Sequence, residues 1–194
     1  AYNVAIGHQS LYANSSGNYN TAVGYTASKS TTTGYQNASL GSEALYTNTT
    51  GYTNTAIGAG AMYQNLGGYE NTALGSTALT DNSSGNHNVA IGFSAMKDNT
   101  TASDNTAVGY KASYYNTTGA NNVALGYQSL YSNFDESNNT AIGYQALYNS
   151  NGGSTNTAIG YSAGSAITTG DKNVIIGSYT GNSGGLDIRT SSNY

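Results

Sequence analysis

The chain has 194 residues, of which 7% are charged, and its formal net charge is -4 at pH 7. Typical soluble domains are about 25% charged, so this composition argues against an ordinary globular fold, while a small net charge and abundant tyrosine argue against disorder. Five lysine and arginine residues are too few for a nucleic-acid-binding surface, no apolar run is long enough to insert into a membrane, and zero cysteines exclude disulfides and thiolate metal sites.

A 17-residue repeat runs through the chain without insertion or deletion, and we number its positions from an invariant asparagine as position 1. Position 3 is alanine in most copies, and position 5 is always glycine. The asparagines are Asn3, Asn20, Asn37, Asn54, Asn71, Asn88, Asn105, Asn122, Asn139, Asn156 and Asn173. An aliphatic residue always fills position 4, as Ile6, Val23, Leu40, Ile57, Leu74, Ile91, Val108, Leu125, Ile142, Ile159 and Ile176. Such regularity predicts units that stack to share one core.

Each unit begins with Asn-Thr/Val-Ala-Ile-Gly, in which side chains alternate between two faces. This pattern predicts a short strand buried on both faces, with Thr/Val and Ile on one face and Ala and Gly on the other. The next stretch, for example residues 44–46, predicts a second short strand. Segments such as Asn-Thr-Thr-Gly at 48–51 indicate turns in which glycine supplies a positive φ. Eleven units therefore predict an all-β parallel solenoid of eleven coils, on the order of 50 Å long.

Stacking turns each repeat position into a ladder along the solenoid. We expect the position-1 asparagines to bond to one another through their amides, and the position-4 aliphatic residues to form the core. Two large aliphatic residues per coil are few for a free-standing rod. The Ala/Gly ladder is therefore expected to pack against copies of the same chain around a common axis. Tyrosines at position 10 are expected on the surface or between chains; they are Tyr12, Tyr46, Tyr63, Tyr114, Tyr131 and Tyr148.

The repeat loses its consensus from Gly181 onward. Terminal repeats of solenoids are commonly atypical because they cap the stack. We therefore expect a repeat solenoid over residues 1–180 and a divergent cap, or a transition to a further domain, over residues 181–194.

Chemically reactive side chains are sparse. His8 and His87 are the only histidines, and they lie five coils apart, so no metal or catalytic site is expected from them. No serine has His and Asp partners at a suggestive spacing. We therefore predict that the chain is not an enzyme and has no cofactor. Acidic pairs in the turns could bind a cation, although isolated loop carboxylates are usually only solvated; the pairs are Asp98 with Asp104 and Asp135 with Glu136.

Several turns carry Asn-x-Ser/Thr, which would be a glycan acceptor in a secreted eukaryotic protein. The asparagines concerned are Asn14, Asn48, Asn82, Asn99 and Asn116. We favour their interpretation as turn residues, because hydroxyl and amide side chains bond to nearby backbone in turns.

The Asn-x-Ala-Ile-Gly motif resembles the head repeat of trimeric autotransporter adhesins. It occurs as Asn-Thr-Ala-Ile-Gly at 54–58, 139–143 and 156–160, and as Asn-Val-Ala-Ile-Gly at 3–7 and 88–92. The longer form at 139–148 and the passage at 177–190 resemble repeat tracts of bacteriophage tail fibres. The resemblance implies a left-handed parallel β-roll built from three chains. The adhesin repeat is slightly shorter, so the cross-section of the coil is expected to differ.

These observations predict a structural fibre or adhesin segment that projects, or forms part of, a receptor-binding appendage. Its location would be extracellular, on a virion or a cell surface. Its partner would be itself, as a homotrimer, with host-surface carbohydrate or protein as a further contact through exposed tyrosines. The alternative is a monomeric ice-binding β-solenoid, which requires a regular array of threonines. Position 2 alternates irregularly between Thr and Val and suggests a buried site, which disfavours that alternative.

Overall fold

The computed structural model describes residues 2–182 and shows a parallel β-solenoid. Each repeat contributes one strand of three residues. The strands are β1 (Val4–Ile6), β2 (Thr21–Val23), β3 (Ala38–Leu40), β4 (Thr55–Ile57), β5 (Thr72–Leu74), β6 (Val89–Ile91), β7 (Thr106–Val108), β8 (Val123–Leu125), β9 (Thr140–Ile142), β10 (Thr157–Ile159) and β11 (Val174–Ile176). They pair in chain order into one 11-stranded parallel sheet. The predicted all-β parallel solenoid is confirmed. Of the expected cap at 181–194, residues 183–194 lie outside the described residues.

Every strand pairs in the register that the repeat dictates. Val4 lies opposite Thr21, and Ile6 lies opposite Val23, so equivalent positions stack along the whole sheet. The backbone of each coil bonds to both neighbouring coils: the Val4 amide donates to the Asn20 carbonyl at 2.8 Å, and the Gly24 amide donates to the Ile6 carbonyl at 2.8 Å. Because every unit is equivalent to its neighbours, each internal strand is hydrogen-bonded to a strand on both sides.

The core of the solenoid lies inside the coil and is made of alanine, leucine and methionine. Position-3 alanines such as Ala56 and Ala90, together with position-9 side chains such as Leu79 and Met96, are fully buried. The prediction that the Ala/Gly ladder faces other chains is therefore wrong. Alternation along a strand places position 3 on one face only, and in a coil this narrow the inward slot accepts alanine.

The position-4 aliphatic residues do not form the core, which corrects the prediction made for the ladder from Ile6 to Ile176. Exposure is 60% for Ile6, 50% for Leu40 and 77% for Ile176, and other members such as Ile91 are half-buried. Because positions 2 and 4 lie on the same face of a strand, the Thr/Val ladder also points outward. The strand is thus buried on one face, not on both.

The second predicted strand is also absent from the described coils, and residues 44–46 form part of a turn instead. Non-glycine residues at positions 7 and 9 adopt left-handed backbone conformations, as in Gln9 with φ 54° and Leu11 with φ 49°. This segment still bonds to the next coil: the Leu11 amide donates to the Ala27 carbonyl at 3.1 Å. Stacking therefore provides hydrogen-bond partners for the backbone amides and carbonyls of this segment, although the segment is not a β-strand.

Glycine in the turn serves close packing. At Gly51 an added Cβ would collide with the carbonyl oxygen of Gly68 in the next coil and with the Oδ1 atom of Asn48. The positive φ expected at this turn glycine is not found; it occurs at the position-5 glycines, such as Gly24 with φ 142°. Position 15 therefore has little inward space for a side chain, although Ala102 and Glu136 occupy it, both buried, in two coils.

Candidate interaction surface

A ladder of position-1 asparagines links successive coils, and its members from Asn20 to Asn173 are buried. The Oδ1 atom of Asn37 accepts the backbone amide of Asn54 at 3.0 Å and its side-chain amide at 3.1 Å. The Nδ2 atom of Asn54 also donates to the Gly68 carbonyl at 2.8 Å. Each asparagine thereby ties its own coil to the coil before it and closes its own turn.

A second asparagine ladder occupies position 12 and was not anticipated as a ladder. The Nδ2 atom of Asn65 donates to Oδ1 of Asn48 at 2.7 Å, and Nδ2 of Asn82 donates to Oδ1 of Asn65 at 2.8 Å. The 17-residue spacing of these residues was the available signal. Asn48, Asn82, Asn99 and Asn116 are fully buried, so their amides are inaccessible to glycan transfer in the folded chain. The glycan-acceptor interpretation therefore fails for these four.

The outer face of the sheet carries the position-2 and position-4 side chains of all eleven strands. Ile57, Leu74 and Ile159 are 37%, 43% and 37% exposed, and the face contains no charged residue. At about 4.8 Å per strand, this face is roughly 50 Å long and 10 Å wide, on the order of 500 Å². The position-4 half of this face is a continuous aliphatic row on the order of 250 Å², whereas position 2 varies among Thr, Val and Ala. An uncharged face with such a row is a candidate interaction site.

Two columns of stacked aromatic rings border the outer face. On the side that follows each strand, at position 6, Phe93, Tyr110, Tyr127, Tyr144 and Tyr161 stack with centroids 5.1–5.5 Å apart. On the side that precedes each strand, at position 16, Tyr35, Tyr52 and Tyr69 stack with centroids 4.9 and 4.8 Å apart. We call these the trailing column and the leading column.

The position-10 tyrosines form stacks of their own. Tyr46 stacks on Tyr63 at 4.9 Å, and Tyr131 stacks on Tyr148 at 5.0 Å and on Tyr114 at 5.5 Å, whereas Tyr12 is exposed. Burial, followed by a hydrogen bond with Tyr115, raises the pKa of Tyr131 to about 12.

Stacking limits what these rings can bind. Rings about 5 Å apart cover each other's faces, which leaves edges and phenolic hydroxyls for a partner. Flat contact with a sugar ring needs a free aromatic face, and only the ends of a column offer one. The columns can therefore offer rows of hydroxyl groups and apolar edges, and they also clamp successive coils together.

The two histidines lie far apart. His8 stacks on Tyr25 with centroids 5.4 Å apart. His87 lies between two carboxylates of adjacent coils, with Nδ1 3.0 Å from Asp104 Oδ1 and Nε2 3.5 Å from Glu70 Oε2. These groups are about half exposed, so the ion pairs contribute little to stability.

The acidic candidates for cation binding have protein partners. Asp98 accepts a hydrogen bond from Lys97 at 3.0 Å, and Asp104 contacts His87. A carboxylate oxygen of the buried Glu136 accepts the backbone amides of Phe134 at 2.9 Å and Asp135 at 3.2 Å. Burial raises the pKa of Glu136. Within residues 2–182, no group of three or more His, Cys, Asp or Glu side chains could hold a metal ion.

No family model, curated protein or solved structure matches this chain. The resemblance to adhesin heads and tail fibres therefore rests on the repeat motifs alone. In the described part of the chain, no helix is long and apolar enough to cross a membrane.

Proposed function

We propose that this chain is a segment of a homotrimeric fibre or adhesin, which projects or forms part of a receptor-binding appendage on a virion or a bacterial surface. The observation that carries the proposal is the outer face, where an aliphatic residue of every strand points away from the coil. Three copies packed around an axis parallel to the rod would remove these residues from water. In this proposal, the coil is left-handed, as the resemblance implies.

The hydrophobic effect gives the assembly its driving force. Burying the aliphatic half of the face, on the order of 250 Å² per copy, at about 25 cal/mol per Å², corresponds to roughly 6 kcal/mol per copy before the entropy cost of association. The outer face also lacks charge, so no ion has to be desolvated when copies meet. Such a rod would act mechanically: it would hold binding tips away from a surface and repeat weak contacts along its length.

The solution mass of the folded chain tests this proposal. Light scattering after size exclusion should give three times the 19.9 kDa chain mass. Replacing Ile57 and Ile159 by lysine should return the protein to the chain mass, because six buried charges would then face one another in the trimer. The matched control is Ser84→Lys, an exposed residue of a turn, which should leave the trimer intact.

Circular dichroism of the lysine variants separates assembly from folding. Both side chains point out of the coil, so the β spectrum should persist in a dissociated protein. A wild-type monomer with a cooperative β-type unfolding transition would refute the trimer.

Ice binding is the second candidate. It is favoured by the outward orientation of the position-2 side chains, which the sequence pattern had suggested to be buried. Six threonines expected to be buried point outward on a regular parallel sheet; they are Thr21, Thr55, Thr72, Thr106, Thr140 and Thr157. This function uses the same outer face, so it requires a free monomer. Thermal hysteresis of a chain-mass protein, lost in Thr106→Lys, would support it; a trimer without hysteresis would exclude it.

A further inference from the structure

The two aromatic columns that border the outer face exchange sides along the rod. From β3 to β5 the leading border carries a ring, and the trailing border carries a small residue: Tyr35 with Ser42, Tyr52 with Ala59, and Tyr69 with Ser76. From β6 to β10 the trailing border carries the ring, and the leading border carries a smaller residue: Asn86 with Phe93, Ser103 with Tyr110, Ala120 with Tyr127, Ser137 with Tyr144, and Ser154 with Tyr161. Over these eight strands, each strand has a ring on one border only.

Packing within one chain does not explain this exclusion. The two border residues of a strand are seven positions apart, as with Tyr52 and Ala59, and the strand lies between them. No ring contact in the described residues joins the leading column to the trailing column, since each column stacks only along the rod. The large side chain on one border and the small side chain on the other are therefore matched although the two do not touch within one chain.

We infer that the matched borders meet between copies: the leading border of one copy packs against the trailing border of the next, strand for strand. A rotation about an axis parallel to the rod keeps every strand at its height and brings opposite borders together. Each seam then holds one ring and one small residue per strand. Two rings would overpack the seam, and two small residues would leave a void.

Strand β2 follows the same rule, since Asn18 precedes it at position 16 and Tyr25 follows it at position 6. Rings at position 17 lie outside the rule: Tyr19 precedes β2, and His87 precedes β6 with its ring edge-on to Tyr69 at 5.3 Å. The matched seam is therefore a property of positions 16 and 6.

This inference rests on the proposed self-association and adds the register and the contacting residues. Disulfide cross-linking tests it, since the chain has no cysteine of its own. The in-register variant carries Ala120→Cys and Tyr127→Cys, the two borders of β8. Its cysteines should form disulfides between copies, because bridged Cα atoms must lie within about 7 Å. Mild oxidation should convert most of the protein into covalent oligomers on a non-reducing gel.

The matched control carries Ala120→Cys and Ala59→Cys, which border strands four levels apart, about 19 Å along the rod. This off-register variant should remain at the chain mass on the gel, and so should Ala120→Cys alone. Light scattering and circular dichroism before oxidation establish assembly and folding for each variant. If the in-register variant folds but fails to assemble while the control assembles, the result supports the seam, because only that variant removes a ring from it.

The remaining outcomes overturn the inference in distinguishable ways. If the in-register variant assembles but does not cross-link, or if both pairs cross-link equally, copies associate in another register and the proposed fibre function survives. If the wild-type protein has the chain mass, both the seam and the proposed function fail.

Discussion

Truncation of one asparagine in the position-1 ladder should destabilise the solenoid far more than its size suggests. Asn88 is fully buried, and its Nδ2 atom donates to the Ala102 carbonyl at 2.8 Å. Its Oδ1 atom accepts the backbone amide of Asn105 at 3.0 Å and the side-chain amide of Asn105 at 3.3 Å. The variant Asn88→Ala removes three hydrogen bonds, one that closes its own coil and two that join this coil to the next.

The magnitude follows from what each partner retains. The Ala102 carbonyl still accepts from Asn99 at 3.2 Å, and the side chain of Asn105 still donates to Gly119 at 2.9 Å. The backbone amide of Asn105 keeps no partner, and a buried orphan amide costs about 1–3 kcal/mol. With the two weaker losses, we expect the free energy of unfolding to fall by about 3 kcal/mol.

Urea unfolding followed by far-ultraviolet circular dichroism measures this loss, at one protein concentration so that assembly is held constant. The control is Asn18→Ala, an exposed asparagine at position 16, which should change the free energy of unfolding by less than about 0.5 kcal/mol. Equal transition midpoints for the two variants would refute the reasoning, because the ladder would then contribute no more than solvated asparagine.

Three further perturbations probe buried polar groups. The buried hydroxyl of Ser113 has no hydrogen-bond partner, so Ser113→Ala should raise the thermal midpoint and increase the free energy of unfolding by about 1 kcal/mol. The control Ser28→Ala breaks a 2.9 Å hydrogen bond to Ser39 and should lower the thermal midpoint. Burial raises the pKa of Glu136, so its contribution to the free energy of unfolding is present at acidic pH and is lost as the pH rises through the folded-state pKa. On acidification, the urea midpoint of the wild type should therefore increase more than that of Glu136→Gln. The pKa of Tyr131 is raised to about 12 from 10.0, so wild-type stability should fall as the pH rises between these two pKa values. In a spectrophotometric titration of tyrosinate, Tyr131→Phe should lack the step at highest pH that the wild type shows; identical titration curves would contradict this.

The sequence by itself determined the architecture of this protein. A 17-residue period without insertions requires equivalent residues to stack, which fixes parallel pairing, in-register strands and amide ladders. Identical neighbours satisfy one another's backbone and side-chain amides, so Asn71 and Asn88 form the same contact as every other pair. These contacts could be predicted from the sequence because they depend only on the 17-residue length of the repeat.

Only the tertiary structure decided which face of each strand points inward. Alternation separates Ala90 from Ile91 but gives no direction, and hydrophobicity suggested that isoleucine lies inside. The narrow coil instead encloses alanine, because the position-9 side chains and both asparagine ladders already fill its interior. The left-handed residues that replace the second strand, such as Leu79 with φ 53°, had no sequence signal, since their conformation comes from bonds to the next coil. The outer face exists because space inside the coil, and not side-chain hydrophobicity, selects what is buried.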